Sequence, residues 1–225
     1  MGAKTRKIYD LAAATYDAEP NAVLFTETET VLSMLSVGKG DSVLDAACGT
    51  GKYVIETLKT GADCIGLDFS AKMLSAAAAK CPGARFVNHD LMSPPLPFAE
   101  RAFTKIVLAH ALWHIAAIDE LFTDFARLLK PGGRLVVSVT HPDAPFALFK
   151  YRAEDCPSGE EIDISAEKRR YSFDAIEKTA LAAGLRLGAA ETIRVDERLR
   201  PVLTVDSYEQ VQGKPLILAL QFLKP

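Results

Sequence analysis

The stretch Val43-Leu44-Asp45-Ala46-Ala47-Cys48-Gly49-Thr50-Gly51 runs as an apolar strand onto a carboxylate, then turns through small residues and two glycines into a helical segment. A strand that turns this tightly into a helix commits the chain to a strand–helix–strand unit, because parallel strands need a helical crossover. Gly49 and Gly51 let the backbone approach a ligand closely, and the N–H groups that open the next helix favour an anionic group. Asp45 supplies the opposite sign at the strand's carboxyl end, which suits an ammonium group or its water shell and repels a pyrophosphate. A dinucleotide fingerprint also asks for a third glycine three residues after the second, where Val54 stands.

The same pattern recurs along the chain. Cys64-Ile65-Gly66-Leu67-Asp68 is a second apolar run ending in an acid, and Ser70 behind it reads as a helix N-cap. Arg85-Phe86-Val87-Asn88-His89-Asp90 is a third. Aspartates at three consecutive strand ends fall on one edge of a parallel sheet, the edge where such folds bind ligands. The spacing predicts strands at 42–45, 63–67, 85–88, 104–109 and 134–140, and helices at 27–35, 51–60, 70–80 and 119–130. Leu128-Leu129-Lys130-Pro131-Gly132-Gly133 reads as a helix stop and turn before the fifth strand. Ser172 caps a further helix ending at Gly184, followed by strands at 185–195 and 215–222. The expected fold is α/β, a doubly wound sheet with helices on both faces.

These motifs resemble those of the class I, Rossmann-like S-adenosylmethionine-dependent methyltransferases. Their first motif is an acidic residue followed by a Gly-x-Gly-x-Gly-like turn; Ala47 replaces the first glycine here, which is tolerable only where the backbone angle φ is negative. The resemblance covers nearly the whole chain and is strongest over residues 40–140. It implies seven strands, mostly parallel with the last antiparallel, and S-adenosylmethionine as cofactor with S-adenosylhomocysteine as product. Asp68 would accept from the ribose hydroxyls, Asp90 from the adenine amino group, and Met73 would lie on the adenine face, although a plain core role suits Met73 equally. The implied cofactor site comprises Tyr16, Asp45, Ala47, Cys48, Gly49, Gly51, Asp68, Phe69, Met73, Asp90, Leu91, Ala109 and His110, with no metal.

With 225 residues, 49% of them hydrophobic, the chain can bury one full core, and a single domain over 1–225 is expected. Within it, residues 1–36 read as an N-terminal helical cap and 142–171 as a lid insertion. A net charge of −3 and no basic cluster beyond Lys168-Arg169-Arg170 argue against a nucleic-acid partner. Four cysteines without a paired spacing argue against zinc or a redox dithiol. The expectation is a cytoplasmic protein with no membrane partner, a monomer or homodimer.

Methyl transfer from a sulfonium is an in-line displacement, so alignment in a dry site supplies most of the catalysis, and a base is needed only where the acceptor loses a proton. His110, His114 and His141 all fall at the carboxyl edge of the sheet and are the candidates for that base. Stacking or a structural hydrogen bond suits the first two equally, and a turn cap suits His141. Tyr9 and Tyr16 lie in the segment placed to close over the site, and Arg198 and Arg200 fall where an acidic substrate could be met. A small-molecule acceptor, methylated at oxygen, nitrogen or carbon, fits the absence of a basic surface. Two other readings remain: an NAD(P)-dependent oxidoreductase and a non-catalytic S-adenosylmethionine-binding protein.

Overall fold

The computed structural model describes residues 2–18, 22–145 and 169–225, so most of the expected lid lies outside the described residues. Seven strands form one sheet: β1 (Ser42–Ala46), β2 (Asp63–Asp68), β3 (Arg85–Asn88), β4 (Phe103–Ala109), β5 (Leu129–Thr140), β6 (Arg186–Arg194) and β7 (Pro215–Leu223), in the order β3-β2-β1-β4-β5-β7-β6. β1 to β5 pair in parallel, and β7 runs antiparallel between β5 and β6. The helices are α1 (Ala3–Ala12), α2 (Ala22–Leu35), α3 (Lys52–Lys59), α4 (Ala71–Lys80), α5 (Ile118–Leu128), α6 (Phe173–Ala182) and α7 (Val205–Val211).

Alternation along the central strands builds two cores, one on each face of the sheet. Leu44, Ile106, Leu108, Leu135, Val137, Leu218 and Leu220 point to one face, where α5 buries Leu121, Phe122 and Phe125 and α6 buries Ile176 and Ala180. Val43, Val107, Val136, Ile217 and Ala219 point to the other, against Val31 and Leu35 of α2, Tyr53 and Val54 of α3 and Tyr208 of α7. Thus α2, read from sequence as part of a cap, is a layer of the sandwich. α1, from the same expected cap, packs instead on α4.

The N-caps occur where serine is placed for them: Ser70 Oγ accepts from Met73 N–H at 3.1 Å, and Ser172 Oγ accepts from Ala175 N–H at 3.2 Å. The run at 130–133 differs from the expected turn. Strand β5 already begins at Leu129, opposite Phe103, and an irregularity in register absorbs the proline and glycines before Arg134 pairs with Lys105. Among the described residues, no helix is long and apolar enough to cross a membrane, and no group of three or more His, Cys, Asp or Glu is placed to hold a metal.

Candidate active site

The chain leaves β1 toward β2 and β3 on one side, then returns to β4 on the other, so the sheet's switch point lies between β1 and β4. Loops diverge beyond the carboxyl ends of two such strands and leave a crevice. A cavity of about 810 Å³, counting its open mouth, lies there. Ala47 to Thr50 after β1 and Ala109 to Ala111 at the end of β4 line it. Asp68, Phe69, Met73 and Leu91 line one end, Lys52 and Tyr53 the other, and Tyr9, Tyr16 and His114 also border it.

The loop after β1 is held by its own backbone. The N–H groups of Ala47 and Cys48 both donate to Leu67 O, at 2.8 and 2.9 Å, and Gly49 N–H donates to Asp68 Oδ2 at 2.9 Å. This geometry puts Ala47 at φ +72, the left-handed region that the sequence argument reserved for glycine. Alanine is accommodated at a cost of about 1–2 kcal/mol, offset by the two bonds to Leu67. At Gly51 the requirement is stricter: φ is +89, and a Cβ would stand 3.1 Å from that of Ala77, which brings α3 and α4 together at this point.

Asp68 is 5% exposed and faces the cavity. One oxygen accepts from Gly49 N–H and the other from Ser70 N–H at 2.8 Å, so the carboxylate is oriented while keeping lone pairs for two further donors. Burial pushes its pKa up against those hydrogen bonds. Asp45 differs from expectation, because it stands behind the loop and does not line the cavity. Burial, then the charge of Asp68, pushes its pKa up to about 8, so it supplies no ready negative charge at neutral pH. Its Oδ2 has no hydrogen-bond partner among the described residues. Burial, with Asp45 and Asp68 adding to it, also pushes the Cys48 thiol up; it lines the cavity as a small apolar group.

Of the three histidines, two border the cavity. His110 follows β4 at φ +53, its N–H donating to Ser138 O at 3.0 Å. His114 shares a 3.0 Å hydrogen bond through Nε2 with the Tyr9 hydroxyl. His141 lies outside the cavity lining, and its Nδ1 accepts from Asp143 N–H at 3.1 Å, the turn-capping alternative. Gly51 and Asp90 also fall outside the lining. Asp90 takes Met92 N–H at 3.0 Å and lies 3.6 Å from Arg6 Nη2. Arg198 is paired with Asp196 and donates to Thr26 O, and Arg200 lies over the Tyr208 ring, so both are spent on packing their own segment. Thr50, Lys52, Tyr53 and Ala111 line the cavity without having been singled out. Lys52 and Tyr53 carried a usable signal, as the first residues of the helix that the glycine turn opens.

Residues 44–137, which carry both of these cavity-lining loops, match the family model described as a methyltransferase domain. The demethylmenaquinone methyltransferase of Tropheryma whipplei (strain Twist) is 34% identical over 152 residues, 64% of each chain. The present chain therefore spans less than two thirds of that relative's length. An S-adenosylmethionine-dependent methyltransferase from Mesorhizobium loti superposes with a TM-score of 0.68 at 22% identity, covering 88% of this chain and 98% of that one. The [4+2]-cyclase SpnF superposes at 0.65 with 20% identity, covering 88% and 80%. The chain thus shares the Rossmann-like fold of these structures, one of which is named for a different reaction.

Proposed function

We propose that this chain transfers the methyl group of S-adenosylmethionine to a small organic acceptor. The observation that carries the reading is the switch-point cavity, with an oriented, nearly buried Asp68 at one end and the glycine turn in its lining. Asp68 suits a ribose diol, Phe69, Met73 and Leu91 an adenine ring, and the Ala47–Thr50 loop with Ala109 and His110 the methionine portion. The cofactor, when bound, supplies a methyl group activated as a sulfonium. The chain's own part is to align the acceptor and exclude water: α1 places Tyr9 beside the cavity, with Tyr16 following, and ties Tyr9 to His114. Asp90 serves the adenine amino group only if it exchanges Arg6 for that donor.

A dinucleotide oxidoreductase is disfavoured by the antiparallel β7 inserted between β5 and β6, which departs from the dinucleotide-binding strand order. For the acceptor, the name of the Tropheryma relative makes a reduced quinol ring the first class to try. Incubation with methyl-labelled S-adenosylmethionine and reduced demethylmenaquinone should place label in the organic-soluble product. No label in that quinol, nor in a panel of phenols, amines and enols, together with firm S-adenosylhomocysteine binding, would instead favour a cofactor-binding protein without methyl transfer. The [4+2]-cyclase SpnF shares the fold, so the fold alone does not decide between the two readings.

A further inference from the structure

Behind the cavity, at its Lys52–Tyr53 end, α2 places a glutamate that no sequence motif singled out. Glu27 is fully buried. Its Oε1 accepts from the Tyr53 hydroxyl at 3.1 Å, while its Oε2 accepts no hydrogen bond among the described residues and lies 3.9 Å from Nδ1 of His110. A buried carboxylate oxygen left in this state is costly unless a donor reaches it, and the imidazole stands within 3.9 Å. The left-handed backbone at His110 turns the residue out of the line of β4, its ring stacks on Trp113 at 6.2 Å between centroids, and Ser138 fixes its main chain. Two elements far apart in sequence thus bring a carboxylate and an imidazole together, and the imidazole borders the cavity.

We propose that Glu27 is a positioning residue for His110, holding it in the tautomer with the proton on Nδ1 so that the buried Nε2 is the basic nitrogen an acceptor must reach. The inference rests on the methyl-transfer reading above and narrows it: the acceptor reacts at an atom that gives up a proton, an enolic or phenolic O–H or an acidic C–H. Closing the gap from 3.9 Å to hydrogen-bond distance takes a movement of about 1 Å, of the size that ligand binding commonly supplies to loosely set catalytic pairs. In the step, one proton passes from the acceptor to Nε2. The electron pair left behind bonds to the transferred methyl, the pair of the broken S–C bond stays on sulfur, and the imidazolium is balanced by Glu27 until its proton leaves to solvent.

The charged and titratable groups around His110 set what is to be measured. Glu27 from α2 favours the imidazolium, Lys52 from α3 opposes it, and burial opposes it most, leaving the pKa below its ordinary value. Tyr53 from α3 is pushed well up by burial and by Glu27, so it stays a neutral donor. With only four histidines in the chain, ring-nitrogen NMR of the uniformly labelled protein resolves each one, and His110→Gln assigns the signal. The expected spectrum at pH 8 shows His110 protonated on Nδ1. Glu27→Gln should lose that preference and lower the His110 pKa by about half a unit or more, because the attracting charge is gone. An Nε2-protonated His110 in the wild-type spectrum would overturn the proposal even if the variant failed to fold. An unchanged tautomer and pKa in a folded Glu27→Gln protein would overturn it as well. Calorimetric titration of the wild type with S-adenosylhomocysteine tests the underlying reading separately: no binding beside the expected tautomer would remove methyl transfer, and this inference with it.

Discussion

Two residues at the cavity wall, Ala47 and His110, hold left-handed backbone without being glycine, and both sit where a strand hands over to a site loop. Sequence reasoning could not see either, because positive φ follows from the hydrogen bonds that fold the loop back on Leu67 and Ser138, not from the residue's identity. Ala47→Gly should therefore stabilise the protein by up to about 1 kcal/mol in denaturant unfolding, a reversal of the usual cost of glycine. Asp45 gives a pH-dependent expectation. Its folded pKa, raised to about 8, exceeds the ordinary 3.8, so its contribution to stability is complete below about pH 3.8 and is lost as pH rises toward 8. Asp45→Asn should lower this slope by up to about 1.4 kcal/mol per pH unit, giving a melting-temperature advantage that grows from pH 5 to pH 8. A constant difference across that range would show that Asp45 ionises normally. Asp68→Asn should weaken S-adenosylhomocysteine binding by about 1–3 kcal/mol by mispairing the hydroxyls it orients, with calorimetry as the check.

At the scale of elements, the periodic apolar runs were legible almost to their ends, since strand alternation and helical spacing are carried by the buried side chains themselves. What spacing could not supply was where α1 and α2 go. α2 has a buried stripe and packs on the sheet, whereas α1 is held across the carboxyl edge mainly by polar ties: Asp10 to Ser70 Oγ, Arg6 to Phe69 O and toward Asp90, and Tyr9 to His114. Farther along, Asp17 takes both the Thr50 hydroxyl and Lys80, at 2.7 and 2.6 Å. Such ties join distant residues and leave no local signature. An element held this way should open separately from the core. The double substitution Tyr9→Phe and Asp10→Ala is expected to speed amide exchange in residues 3–12 about tenfold while leaving exchange in β1 and β4 unchanged; equal acceleration in the strands would mean that α1 is part of the cooperative core.

For the molecule as a whole, the three strand-end aspartates pointed to one edge of the sheet, and the structure places them there in three different states. Asp68 is oriented toward the cavity, Asp45 is sealed behind the glycine turn, and Asp90 is drawn toward Arg6. The edge was legible because a parallel sheet sends every strand the same way; the division of labour was not, because it depends on burial depth and on a helix from the far end of the chain. An edge built this way should accept an adenosyl amino acid and not a dinucleotide. Calorimetric titration of the purified protein with S-adenosylhomocysteine, NADH and NADPH in parallel distinguishes the two. Saturable one-to-one binding of S-adenosylhomocysteine alone, abolished by competition with S-adenosylmethionine, is expected. Binding of a dinucleotide in its place would contradict it.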